Sequence, residues 1–155
     1  MLKLMKVLYD CGAITGEEID SLGLDWGIVN DLVSKEQLVA TMVDGKQVYL
    51  LTEFGEKVYR LNTGSKIFFR CTNKSKMASL VKFYASLSDE ERDTWKSKDV
   101  WYTEGFVGAI PDATYMKDGE MHGVYVCTPA TSKDLIANVE AFVKERNIPH
   151  MEYLR

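Results

Sequence analysis

Cysteine is scarce in this chain of 155 residues: Cys11, Cys71 and Cys127 stand far apart. An odd count with no pair at metal-ligand spacing excludes a disulfide framework and argues against a cysteine zinc site. Histidine is scarcer, with only His122 and His150, so a histidine-rich metal centre is not expected. Long apolar runs are missing as well. None reaches the roughly 18 residues that a membrane-spanning helix needs. The opening Met1-Leu2-Lys3-Leu4-Met5-Lys6 breaks its apolar residues with lysine and lacks the apolar core of a signal peptide. The chain therefore reads as cytoplasmic, without a membrane partner. Neither sign of charge dominates, with 19 basic and 23 acidic residues and a net of −4. A strongly basic protein is excluded on the average, although a local basic face is not. What is present is ordinary for a globular chain: 46% hydrophobic and 27% charged residues. No cofactor or metal ion is expected.

Charge is unevenly spread. Residues 1–64 hold six basic and ten acidic side chains, and residues 65–155 hold thirteen of each. All three prolines, Pro111, Pro129 and Pro149, fall in the second part. The small, polar stretch Leu61-Asn62-Thr63-Gly64-Ser65 reads as a connector. Two domains are expected, 1–64 and 65–155.

The first part reads as three short helices, a hairpin and a fourth helix. Leu4, Leu8 and Cys11 keep helical spacing, and Gly12 sits where a C-capping glycine would. Thr15 could cap a second helix with Glu17 and Glu18 in its first turn and Ile19 and Leu22 as its apolar face. Asp25 could cap a third, patterned by Ile28, Val29, Leu32 and Val33. Asp44-Gly45 then separates two β-rich runs, Leu38–Val43 and Lys46–Leu51. A two-residue type I′ turn needs positive φ at both positions, which Asp-Gly accepts. Thr52 caps a helix running to about Leu61, with Phe54, Val58 and Leu61 spaced for burial.

That order is the layout of a winged helix-turn-helix. The stretch Tyr49-Leu50-Leu51-Thr52-Glu53-Phe54-Gly55 resembles the segment closing the wing in MarR-like and related regulators, and the likeness covers residues 1–61. In such a fold the second helix of the helix-turn-helix enters the major groove. Here that helix, Asp25 to Lys35, carries two aspartates, Asp25 and Asp31, and no basic residue before Lys35. Asn30 is its one evident base reader. Phosphate contacts need cations. Lys35 at the helix end and Lys46 beside the wing tip supply few. Two readings stay open: sequence-specific DNA binding, or a protein-contact or dimerisation module anchored by Trp26.

Beyond the connector, Lys66, Arg70, Lys74, Lys76 and Lys82 precede the first acid, Asp89. This is the one long single-sign stretch. Phe68 and Phe69 between these cations could stack on bases of a single strand. The alternation of Ile67 and Phe69 with Phe68 and Arg70 fits a half-buried strand more simply. The lysines could still touch phosphate if they face the same way as the recognition helix.

The remainder alternates helices and strands. A helix from Lys76 to Leu87 buries Met77, Leu80, Val81, Tyr84 and Leu87. Ser88-Asp89-Glu90-Glu91 is a capping box opening a short helix. Val100–Thr103 reads as a strand. Asp118-Gly119 marks a second hairpin, followed by an apolar central strand, Gly123–Cys127. Thr131 or Ser132 caps a helix faced by Leu135, Val139, Phe142 and Val143. Asn147 and Pro149 end it, and His150–Leu154 forms a last strand.

Helix, Pro-Asp, hairpin, helix and strand is the order of the PD-(D/E)xK nuclease-like core. Joined to a winged helix, it resembles the replication-relaxation family of plasmids and integrative elements. The likeness rests on Trp101, Glu104, Pro111 and Asp112, the strand Val124–Cys127 and the helix beyond. The fold class expected is thus α+β, a winged helix followed by a small nuclease-like α/β domain. A nuclease of this kind needs the Pro-Asp carboxylate plus an acid and a lysine on the next strand, to hold a divalent ion and an attacking water. Asp112 is present, but Gly-Val-Tyr-Val-Cys-Thr-Pro has neither partner. Glu120 and Lys133 lie outside the required spacing. One carboxylate does not hold a catalytic Mg²⁺ alone, so Asp112 reads as a degenerate position, or as a turn residue after Pro111. Glu104 and His122 read as solvated loop residues, and Cys127 as a small buried hydrophobe.

The resemblance implies a non-enzymatic DNA-associated accessory or regulatory protein of a mobile element, acting in replication or transcription. Asn30, Lys35, Lys46, Lys66, Arg70, Lys74 and Lys76 are the candidate contacts to double-stranded DNA. A protein partner or homodimer using the acidic winged helix is the alternative, and a residual metal-dependent nuclease the third.

Overall fold

The structure, a computed structural model, describes residues 2–64, 73–105 and 108–155. It is a mixed α+β fold with two sheets. Two compact units divide between Ser86 and Leu87. No helix among the described residues is long and apolar enough to cross a membrane.

The first unit runs α1 (Leu2–Cys11), β1 (Ala13–Thr15), α2 (Gly16–Ser21), α3 (Trp26–Ser34), β2 (Leu38–Val43), β3 (Lys46–Leu51), α4 (Glu53–Thr63) and α5 (Lys74–Ser86). Local signals set most of these boundaries. Glu18 returns its carboxylate to the Thr15 backbone N–H and hydroxyl, which fixes the start of α2. Asp25 accepts the Gly27 N–H at 2.7 Å to open α3. Thr52 accepts the Gly55 N–H at 2.9 Å and donates its hydroxyl to the Glu36 carbonyl. A Cβ on Gly55 would stand 2.0 Å from the Gln37 carbonyl oxygen, so only glycine lets α4 start this close to β2. The hairpin pairs Val43 with Lys46 across Asp44 (φ 50°) and Gly45 (φ 78°), the two-residue turn the sequence calls for.

The strand β1 is too short for a sequence pattern to reveal. It pairs antiparallel with β3, which lies between β1 and β2. Leu4, Leu8, Cys11, Ile19, Val29 and Leu32 lie in the core as their helical spacing predicts, joined by Ile14, Leu38 and Val48 from the strands. Phe54 and Leu61 differ from expectation, at 54% and 78% exposed. Helix α4 turns Gly55 inward instead, and close approach there leaves no depth for both apolar ends.

The division of the chain also differs. The composition placed it at residue 64, yet α5 packs on β1, α1, α2 and β2 of the first unit. Met77, Leu80, Val81 and Tyr84 complete that core, and the Tyr84 hydroxyl donates to Asp10 at 2.9 Å. A polar connector in sequence is thus not a boundary in space, because the helix after it carries the apolar face that closes the first core. The charge account changes with it. Residues 1–86 hold eleven basic and ten acidic side chains, a net of +1, and residues 87–155 hold eight and thirteen, a net of −5.

The second unit runs α6 (Asp89–Asp93), β4 (Lys96–Ser97), α7 (Lys98–Thr103), β5 (Ala113–Lys117), β6 (Glu120–Val126), α8 (Lys133–Glu145) and β7 (His150–Leu154). Ser88 and Glu91 form the expected capping box. Asp118 (φ 51°) and Gly119 (φ 77°) make the second two-residue turn. Asn147 (φ 54°) ends α8. The sheet order is β4-β5-β6-β7, with β7 parallel to β6 and the other pairs antiparallel. Val100–Thr103, expected as a strand, belongs instead to α7. There Trp101 reaches Thr114 with its indole N–H and meets Phe142 edge-on, so packing overrides local β-propensity. The cluster of Trp101, Ile110, Phe142 and Ile148 puts α7 and α8 on the sheet face of Thr114 and Met121. Period-two alternation sends Tyr115, His122 and His150 to the other face.

Candidate functional site

On α3, Val29 and Leu32 face the core and leave Gly27, Asn30, Asp31 and Ser34 outward. Asn30 is exposed. Lys35, just past the end of α3, lies 2.7 Å from Asp31 in an exposed ion pair. Trp26 donates its indole N–H to Asp20 at 2.7 Å and meets Tyr49 edge-on. It holds α3 against the first unit while remaining partly exposed.

The tip of the β2–β3 hairpin has a different neighbour. Asp44 accepts a hydrogen bond from the Ser75 hydroxyl at 2.8 Å, 31 residues along the chain. Ser75 lies in the first turn of α5 between exposed Lys74 and half-buried Lys76. Lys46 stands two residues beyond Asp44, 3.5 Å from Glu17. Lys46, Lys74 and Lys76 are thereby brought to one region of the first unit. Asn30 and Lys35 stay on α3. Lys66 and Arg70, with Phe68 and Phe69, lie outside the described residues.

Asp112 is 3% exposed. Its Oδ2 accepts the Val126 N–H at 2.7 Å, and its Oδ1 lies 3.3 Å from the Lys98 ammonium. Its backbone joins β6 through Val124 and α7 through Lys98. This carboxylate clamps the start of α7 to the middle of the sheet. Glu120 is six residues before Val126 on β6, roughly 20 Å along an extended strand, and so cannot share an ion with Asp112. Glu104 is exposed, 3.9 Å from Lys96.

His122, which the sequence assigns to a loop, lies within β6 and forms the Cα pair of both Tyr115 on β5 and His150 on β7. Register therefore builds a row of rings across the sheet. Trp95 stacks on Tyr115 (6.2 Å between centroids), Tyr115 on His122 (5.3 Å) and His122 on His150 (4.3 Å). Glu120, two residues before His122 and so on the same face, contacts the His150 Nε2. One ligand atom from each of Glu120, His122 and His150 falls within 4.8 Å of the others. Burial, then the neighbouring His150 and Lys117, hold the His122 imidazole below its ordinary value. Composition argued against a histidine metal centre because two histidines are few. The usable signal was the i, i+2 spacing of Glu120 and His122 after an Asp-Gly turn. The pairing of His150 with His122 is a matter of strand order. No family model, no curated protein and no solved structure matches the chain.

Proposed function

We propose that the first unit is a winged helix that associates with duplex DNA through its wing and the adjoining start of α5. It would act as a non-enzymatic accessory or regulatory protein in replication or transcription, as the resemblance to mobile-element proteins implies. The element order α1-β1-α2-α3-β2-β3, with β3 between its two partners, supports the winged-helix reading. The observation that carries the DNA reading is the Ser75–Asp44 hydrogen bond, which sets Lys74 and Lys76 beside the wing. Phosphate contact from that region needs no base reader, which suits an α3 whose outward face offers Asn30 as its one evident base reader. The net of +1 on residues 1–86 removes the objection that the unit is acidic. The second unit, on this reading, is a nuclease-like domain without its active centre, since Asp112 is engaged by Val126 and Lys98.

Fluorescence anisotropy with a labelled duplex at low salt tests this. The triple variant Lys46→Glu, Lys74→Glu, Lys76→Glu should lose binding, and neutralising each lysine singly should lower the salt slope by about 1. Asn30→Ala should change affinity little. No retention of duplex near 50 mM salt, or an unaffected triple variant, refutes the proposal.

A second reading, homodimerisation, is favoured by one observation: Phe54 and Leu61 are exposed seven residues apart on α4, one face of the helix. Sedimentation of the chain and of Phe54→Glu decides it, because a dimer through this face would dissociate in the variant.

A further inference from the structure

We propose that Glu120, His122 and His150 form a binding site for a late first-row divalent cation, Zn²⁺ foremost. The three come from two strands whose relative position is fixed by the backbone ladder. His122 and His150 are direct Cα partners across β6 and β7, and Glu120 lies on the face of His122. Their ligand atoms already fall within 4.8 Å of one another. Around an ion at about 2.0–2.2 Å from each donor, they must approach somewhat further. Glu120 and His150 are exposed, so side-chain rotation can supply that movement without disturbing the backbone.

Donor type narrows the ion. Two imidazoles and a carboxylate suit zinc, nickel, cobalt or copper. They do not suit Mg²⁺ or Ca²⁺, which take oxygen ligands. The ion would take the place of the contact between Glu120 and His150. Tyr115 stacks against His122 on the side away from His150 and holds that ring in position. Glu152, two residues after His150 on the same face of β7, adds a negative charge felt at His122. Lys117 is the opposing cation there. The parent unit carries a net of −5, which favours cation approach. Three protein ligands on a partly exposed face leave room for water on the ion. Because β7 is the edge strand, a bound ion would also tie the last strand of the chain to the sheet.

Calorimetric titration of the full chain, stripped with chelator, with ZnCl₂ tests this. Uptake of one ion per chain at micromolar affinity is expected. His122→Phe, which keeps the ring stack but removes both nitrogens, and His150→Gln should each weaken binding by about 100-fold or more, and Glu120→Gln by about 10-fold. Far-UV circular dichroism of each variant should match the parent. No uptake at micromolar Zn²⁺, or parental affinity in all three variants, overturns the proposal. Co²⁺ gives a second reading that does not depend on the variants. Visible d–d bands without a near-ultraviolet thiolate band support the site, and a strong thiolate band would place the ion on cysteine and overturn it.

Discussion

Among the described residues, ten of the twelve largest fully buried side chains, Leu8, Ile14, Ile19, Leu38, Leu80 and Tyr84 among them, belong to the first unit, and Ile110 and Val124 belong to the second. The first unit is thus held by a sealed apolar core. The second has fewer such side chains and adds its ladder, a row of rings running from buried Tyr115 to exposed His150, and polar clamps such as Asp112 and Thr114. The contrast teaches where chemistry can reside. A sealed core stabilises by excluding water, at roughly 25 cal/mol per Å² of apolar surface, and leaves reactive groups no access. The second unit keeps imidazole and carboxylate groups at its surface, on a frame that hydrogen bonds make rigid. Contact by the first unit is therefore confined to its outside, where the proposed DNA contact would use the β2–β3 hairpin and the lysines of α5.

The contrast is open to tests, beginning with the largest effect. Cys11 is fully buried, and burial followed by the charge of Asp10 pushes its thiol well above the usual range. The thiolate is the reactive form, so Cys11 should be alkylated only when the first unit opens. Half-buried Cys127 should react orders of magnitude faster. Timed labelling with peptide mapping reads both, and equal rates would break the claim of a sealed core. Next, Tyr84→Ala should cost about 3–5 kcal/mol in urea unfolding, since it removes a buried ring and the bond to Asp10. A cost below about 1 kcal/mol would mean that α5 is not part of the first core. Asp112→Asn keeps the shape but loses the charge facing Lys98, and should cost about 1–3 kcal/mol. Circular dichroism in denaturant checks it, and a neutral result would remove the clamp from the account of the second unit. Smallest is Lys35→Ala. It breaks an exposed helical pair with Asp31 and should change stability by less than about 0.5 kcal/mol. A larger loss would show that α3 depends on that pair.

Particular residues show how far the sequence could be read. Thr15, Asp25, Thr52, Ser88 and Ser132 all act as helix caps, and both Asp-Gly pairs turn as expected. These signals are local: a side chain answers a backbone group two or three residues away, and a two-residue turn is decided by its own φ angles. The run Val100–Thr103 misled, because β-propensity there yields to the packing of Trp101 on Thr114 and Phe142. Phe54 and Leu61 misled because spacing marks one face of a helix but not which face the rest of the unit covers. Lys74 and Lys76 are candidates on charge alone. Their place beside the β2–β3 hairpin depends on Ser75 meeting Asp44, and nothing in either segment announces that.

The sequence by itself determined most of the helix starts and both hairpin turns, since those depend on residue type within a turn or two. Tertiary structure decided the rest. It assigned α5 to the first unit and so moved the division of the chain from residue 64 to Ser86. It turned an apparently acidic first domain into one of net +1. It also set β7 beside β6 in the register that joins Glu120, His122 and His150. The physical reason is the same in each case. Contacts between residues tens of positions apart follow from which apolar faces pack and which strands pair, and hydrophobic periodicity gives the face of an element without naming its partner.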